Sequence, residues 1–322
     1  MRHARRTRTV TSAVTLTLSG ALLLTGCGSS AIGGAAGGGA GNAGSAPDAS
    51  QSVGAEAPDP ALVAMVPAAL RAKGSVTVAT DSTYAPSEFK DADGHVVGMD
   101  IDLGDAIMKK LGLGATWQSA DFSSILVGIT AGKYDLSMSS FTDTRAREQQ
   151  VDLVQYYNAG EAVATLTGNP DKLSGNAADL CGTRVSVQSN TTESDEIKNV
   201  IDPDCRKAGK PGIPDSGDQF NAQTDATSAL VAKRDQAMMA DSPVIDYAVK
   251  QGHGQLVKIG SDYNTAPYGI ALPKGDGRLA QAVQGALRDL IADGSYGRIL
   301  TRWGVESGAL TADRVRIDAA AS

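Results

Sequence analysis

The sequence predicts an α/β fold in which mostly parallel sheets are flanked by helices, laid out as two successive series. Three patterns carry this expectation. From Gly74, short β-branched runs alternate with apolar residues at helical spacing; the alternation starts afresh near Thr183; and a strongly amphipathic segment follows Pro267 and one further strand. Two open sheets of this kind place a ligand at the carboxyl ends of their strands.

The chain begins with a stretch of different character. Arg2, Arg5, Arg6 and Arg8 make a positive start with no acidic residue before Cys27, and Val14 to Leu24 is apolar but too short for a permanent span. Leu24-Thr25-Gly26-Cys27 looks like the lipobox of a bacterial lipoprotein. Residues 1–26 are therefore expected to be a signal peptide. Cys27 is expected to be lipidated, which anchors the exported chain to the outer face of the cell membrane. Arg5-Arg6 is suggestive of twin-arginine export, but the residues after the pair do not support it. Residues 27–60 are rich in Gly, Ala, Ser, Asn and Pro with almost no apolar bulk, the composition of a flexible linker. No Gly-Lys-Ser/Thr follows these glycines, so they are not a phosphate loop.

In the folded part, Val76 to Ala79 predicts a strand. Leu103, Ala106, Ile107 and Leu111 recur as one helix face, closed by Gly112. Ala115 to Gln118 is a strand, Ile125, Leu126 and Ile129 mark a helix ended by Gly132, and Tyr134 to Met138 is a strand again. The second series runs through a strand at Arg184 to Gln188, helices at Thr191 to Val200 and Gln223 to Arg234, and a strand at Gln236 to Ala240. Tyr268 to Leu272 then reads as a strand crossing back, followed by a helix over Leu279 to Ile291 and a last segment, Tyr296 to Trp303.

Charge and cysteines narrow the function classes. The net charge is −7, and loss of the four signal arginines makes the remainder still more acidic, which argues against nucleic acid. Cys181 and Cys205 are the two cysteines beyond the lipobox. In an exported chain they are expected to form a disulfide, closing a loop worth about 3 kcal/mol. His95 and His253 lack ligand-like spacing to the thiols or to each other, so neither a metal nor a cofactor is expected.

Six motifs occur in a specific order: Thr80-Asp81-Ser82-Thr83-Tyr84-Ala85-Pro86, Val97-Gly98-Met99-Asp100-Ile101-Asp102-Leu103, Gly132-Lys133-Tyr134-Asp135, Thr142-Asp143-Thr144-Arg145-Ala146-Arg147, Val187-Gln188-Ser189-Asn190-Thr191-Thr192 and Ala240-Asp241-Ser242-Pro243. Over about Gly74 to Gly304 the chain resembles the bacterial extracellular solute-binding proteins, family 3, which serve amino-acid ABC importers. The resemblance implies two lobes joined by two crossing strands, closing over a free amino acid. The first lobe would comprise 70–160 and 268–310, the second 161–267, with 311–322 as a C-terminal tail. It also implies a monomer that partners an ABC permease.

The resemblance assigns roles by position. Arg147 would pair with the ligand's carboxylate, helped by Thr191 and Thr192 at a helix start and by Ser140 and Thr142 after a strand. Asp241 would take the ammonium. Tyr84 and Phe122 would flank the side chain, whose polar end Asp81 would read, favouring a polar or cationic amino acid such as arginine, lysine, ornithine, histidine or glutamine. Ser87 stands where relatives often carry Phe, which implies a larger or wetter slot. Taken without the family, Asp241, Thr191 and Thr192 would be helix caps, Arg147 a solvated residue, and Tyr84 and Phe122 core. The fold also occurs in cyclohexadienyl dehydratases, and Glu88 is the extra carboxyl near the slot that could serve such an enzyme as an acid. No nucleophile–base pair accompanies it, so a binding protein rather than an enzyme is expected. A sensory module is a third reading, without a signalling domain to support it.

Overall fold

The chain was examined as a computed structural model that describes residues 57–176, 179–275 and 277–320; the expected signal peptide, Cys27 and most of the linker lie outside them. Two short helices open it, α1 (Pro60–Met65) and α2 (Ala68–Lys73), the first capped by Asp59, whose Oδ1 accepts from Ala61 N at 2.7 Å. The predicted first strand is β1 (Ser75–Thr80). Between it and the first long helix the structure inserts a small antiparallel sheet absent from the sequence reading: β2 (Thr83–Tyr84), β3 (Glu88–Lys90) and β4 (Val96–Val97). Gly98, at φ +144°, leads out of it, and a Cβ there would run into the Ser87 carbonyl. Helix α3 (Met99–Lys110) follows with Leu103, Ala106 and Ile107 buried, then β5 (Gly114–Ser119), α4 (Phe122–Thr130), β6 (Leu136–Thr142) and the one-turn α5 (Arg145–Glu148).

A long strand, β7 (Val151–Leu166), carries the chain into the second half, which contains β8 (Val185–Gln188), α6 (Thr192–Glu196), a π turn (Ile197–Ile201), α7 (Asp202–Lys207), β9 (Asp218–Phe220), α8 (Gln223–Val231), β10 (Ala237–Asp241) and α9 (Ser242–Gln251). The helix expected over Thr191 to Val200 thus continues to Lys207 through a π turn. A second long strand, β11 (Leu256–Pro273), returns to the first half, which α10 (Gly277–Ala292) and α11 (Ser295–Trp303) complete.

Among the described residues, eight strands form one sheet in the order β5-β1-β6-β11-β7-β10-β8-β9. The outer trios are parallel: β1 with β5 and β6, and β8 with β9 and β10. Between them β7 and β11 run antiparallel to each other over both trios, with register shifts between Ile259 and Ala266. The two halves are thus two parallel blocks joined by two crossing strands, and the regular ladder is interrupted where those strands pass between blocks. Each half has its own core. In the first, Leu103, Ile107 and Leu136 pack with Leu279, Val283 and Leu287 of α10; in the second, Val185, Val187, Ile197 and Met239 pack with the Cys181–Cys205 disulfide. Burying each such side chain contributes about 1.5–3 kcal/mol. Among the described residues no helix is long and apolar enough to cross a membrane.

Candidate ligand-binding site

Two pairs of parallel strands point their carboxyl ends at the same gap: β1 and β6 from the first half, β8 and β10 from the second. A small cavity lies in the gap. Asp81, Tyr84, Phe122, Ser140, Thr142, Arg147, Thr191, Thr192 and Asp241 all line it, together with Ser139, Gln188 and Glu193, which sequence reasoning did not select. Gln188 lay within a quoted motif but ends a strand of otherwise core-like residues. Glu193, in the first turn of a helix, looks from sequence like a residue complementing the helix dipole.

Tyr84 and Asp241 meet across the halves: the tyrosine hydroxyl donates to Asp241 Oδ2 at 2.7 Å, and Asp241 N donates back to that hydroxyl at 3.3 Å. Asp241 occupies the N-cap position of α9, yet its side chain caps nothing. Its carboxyl is turned into the cavity instead, where burial, and then the nearby Glu193, push it well above the usual carboxylate range. Asp81 Oδ1 accepts from Thr83 Oγ1 at 2.8 Å, and Oδ2 from Gln188 Nε2 at 2.6 Å and from Phe122 N at 3.3 Å. Burial raises this carboxyl too, against the pull of those donors.

The Arg147 guanidinium donates to Thr142 O at 2.9 Å and, across the gap, to Asn190 O at 3.1 Å. It lies over the rings of Phe122 and Phe141, at 5.5 and 5.3 Å, and the two rings are stacked 4.4 Å apart. Phe122 therefore supports the cation as well as facing the cavity. Thr191 caps α6, accepting from Ser194 N at 3.2 Å, while Thr192 Oγ1 lies 3.4 Å from Thr142 Oγ1 of the other half. Cap and cavity wall thus coincide at Thr191. Ser140 has φ +51°, uncommon for a residue with a Cβ, and is held there by Asp100, whose Oδ2 accepts its N–H at 3.1 Å.

Glu88 is buried beneath this floor and does not line the cavity: Ser139 stands between, its hydroxyl donating to Glu88 Oε1 and accepting from Asp81 N, both at 2.9 Å. Ser87 is buried outside the cavity as well, so a wider slot at that position is not what the structure places there. Among the described residues, Asp91, Asp93 and His95 have metal-compatible spacing, but they sit on the β3–β4 turn, where Asp91 already accepts the N–H groups of Asp93 and His95 at 3.0 and 2.8 Å.

The charge balance of the cavity is lopsided: the carboxyls of Asp81, Glu193 and Asp241 face the single guanidinium of Arg147. Behind them Glu161 is pushed up to about 9, first by burial and then by Glu193, Glu196 and Asp241. Buried carboxyls raised by burial and by each other are stabilised by any cation that enters.

A two-block α/β chain with a polar cavity between its blocks defines a ligand-capturing protein, and comparison gives the class a family. The chain belongs to the bacterial extracellular solute-binding proteins, family 3, whose model matches residues 76–306. It is 34% identical to the arginine-binding protein ArgT of Corynebacterium glutamicum over 254 residues, covering 79% of this chain and 82% of the relative. An ancestral arginine-binding protein bound to arginine superposes with a TM-score of 0.65 at 33% identity, over 71% of this chain and 98% of the other. The ancestral amino acid-binding protein AncCDT-1, a precursor of cyclohexadienyl dehydratase, has a TM-score of 0.65 at 31% identity, over 73% of this chain and 97% of the other.

Proposed function

We propose that this chain captures a cationic amino acid, arginine first, between its two halves and hands it to an ABC permease. The observation that carries the reading is the excess of buried carboxyls over guanidinium around the cavity between the halves. Arg147, with Thr142, Thr191 and Thr192 beside it, binds the ligand's carboxylate. Asp241 and Tyr84 receive the ammonium. The ligand's cationic side chain lies between Tyr84 and Phe122 and reaches Asp81, displacing Gln188. The matches to an arginine-binding relative and an arginine-bound ancestral structure support the choice. Closure occurs about the irregular stretch of β7 and β11, with a second lobe of 161–267 moving against 70–160 and 268–310. Lipidation of Cys27 and a linker over 27–60 keep a monomeric trap beside its permease, raising its effective concentration there.

Thermal melting with each common amino acid tests this. At 100 times Kd, a bound ligand adds about 2.7 kcal/mol of stability. Arginine, lysine, ornithine and histidine should shift the transition most, and aspartate and glutamate not at all; a shift by acidic amino acids alone would sink the reading. The likeness to a precursor of a dehydratase motivates one competing activity. Glu88, the acid expected to serve such a step, is screened from the cavity by Ser139, so prephenate or arogenate should remain unchanged on incubation.

A further inference from the structure

We propose that the C-terminal tail is a strap that positions Arg147 for its ligand's carboxylate, an inference that rests on the role just given to that arginine. The tail lies beyond the family match, which ends at residue 306. It nevertheless docks by a continuous set of contacts. The Val315 carbonyl accepts from Gln284 Nε2 and Arg288 Nη2 of α10, both at 2.9 Å. Arg316 O accepts from Gln155 N at 2.8 Å, and Ile317 bridges to Val154 of β7. Asp318 N donates to Leu153 O at 3.0 Å, while its Oδ1 accepts from Leu153 N at 2.8 Å and its Oδ2 from Lys274 Nζ at 2.8 Å.

The final two described residues reach the cavity's supports. Ala320 N donates to Glu148 Oε1 at 2.7 Å, and Glu148 is the neighbour of Arg147 in α5. Ala319 O accepts from Gln155 Nε2 at 3.1 Å, and that same amide nitrogen donates to Asp143 Oδ2 at 2.8 Å, fixing the residue after Thr142. Helix α5 has four residues and one side-chain cap, Thr144 Oγ1 to Arg147 N at 3.3 Å. A single turn does not hold itself in water. Its orientation must come from what it leans on: the Thr142 carbonyl under Arg147, and both Asp143 and the tail beside Glu148.

The test compares arginine with arginine amide, which lacks the carboxylate, by calorimetric titration. Three proteins are used: the full chain, the chain ending at Asp318, and A320P, which removes the N–H donor while keeping the tail's length. Both variants retain Val315 to Asp318 and so the contacts with α10 and the backbone pairing with β7; truncation also removes the Ala319 carbonyl from Gln155, which A320P keeps. Arginine should bind about five- to tenfold more weakly to each variant, the scale of one or two lost hydrogen bonds, with the amide changed less than twofold. Equal loss for both ligands, or none for either, overturns the strap. Full-chain R147A separates the two layers of inference. If R147A loses the preference for arginine over its amide while the tail variants keep full affinity, the strap alone is wrong. If R147A keeps that preference, the reading of Arg147 fails and the strap with it.

Discussion

In the first half of the sheet, β1 ends at Thr80, just before Asp81, and β6 at Thr142; in the second, β8 and β10 end at Gln188 and Asp241. The parallel layout is the same, but the two halves differ in the charges they bring to the cavity. The first half brings the cation, Arg147, and surrounds it with two stacked rings and the Thr142 carbonyl. The second brings Glu193, whose Oε1 has no hydrogen-bond partner among the described residues, beside Asp241 and in front of Glu161. An equivalent contrast recurs just before β6 and β10. Asp135 accepts from Thr77 N at 2.7 Å and from Lys73 Nζ at 2.8 Å, whereas Asp235 is buried with Oδ2 unpartnered. The first half also buries unpartnered carboxyl oxygens among the described residues, Glu88 Oε2 and Asp143 Oδ1, but they lie outside the cavity, to which this half brings one carboxyl, Asp81, and the guanidinium. The second half brings two of the cavity's carboxyls, Glu193 and Asp241, and no cation among the lining residues; on the proposed reading, that asymmetry is what a ligand with a cationic side chain meets.

The comparison can be broken in several places. Arg147→Ala removes the first half's cation and should cost arginine binding about 3 kcal/mol, over a hundredfold in Kd by calorimetry, with melting temperature nearly unchanged. Replacing Cys181 and Cys205 by serine should lower unfolding stability by about 3 kcal/mol in denaturant, since the bridge closes a separation of 24 residues, while arginine affinity well below the transition stays as it was. A loss of affinity from that change would mean the second half's core shapes the cavity directly. Asp241→Asn keeps the shape but not the charge, and an expected cost of about 2 kcal/mol should appear for arginine and lysine alike.

The smallest effect concerns pH and sharpens the electrostatic side. Asp81, Glu193 and Asp241 are all raised, mainly by burial. From the ordinary carboxylate range upward, the folded chain therefore holds protons that the unfolded chain has released, so the stability of the ligand-free protein falls as pH rises through that window. A cationic ligand needs those groups ionised. The melting shift produced by saturating arginine should grow from pH 5 to pH 8, by roughly 1 kcal/mol of stabilisation. A shift that is flat in pH would show that the carboxyls are already ionised without ligand.

Much of this architecture was legible in the residues. The apolar periodicity of Leu103 to Leu111 and the β-branched run at Val76 located α3 and β1, and the family resemblance picked out nine dispersed residues that line one cavity, seven of them within the six motifs. What escaped was buried but polar. Strand β7 carries Asp152, Gln155 and Glu161, which break the apolar pattern of a core strand; burial is offset there by long-range partners such as Asp143 for Gln155 and Asn264 for Glu161, invisible to local spacing. Strands β2 to β4 are two or three residues long, too short for any period to register. The N-cap signal at Asp241 pointed correctly to the start of α9 and misdirected its side chain, because only the tertiary fold brings Tyr84 to it.

The two crossing strands have a bearing on how such a protein is assembled and remade. The chain enters the second half on β7 and leaves on β11, and these are neighbours, with Ala159 opposite Ala266 and Glu161 opposite Tyr263. The whole second half is therefore an insert whose two ends are separated by about one strand spacing, ~4.8 Å. A cassette carried on adjoining ends can be exchanged between relatives at two cuts. Such a chimera would keep the Arg147 clamp and import a different set of acids opposite it.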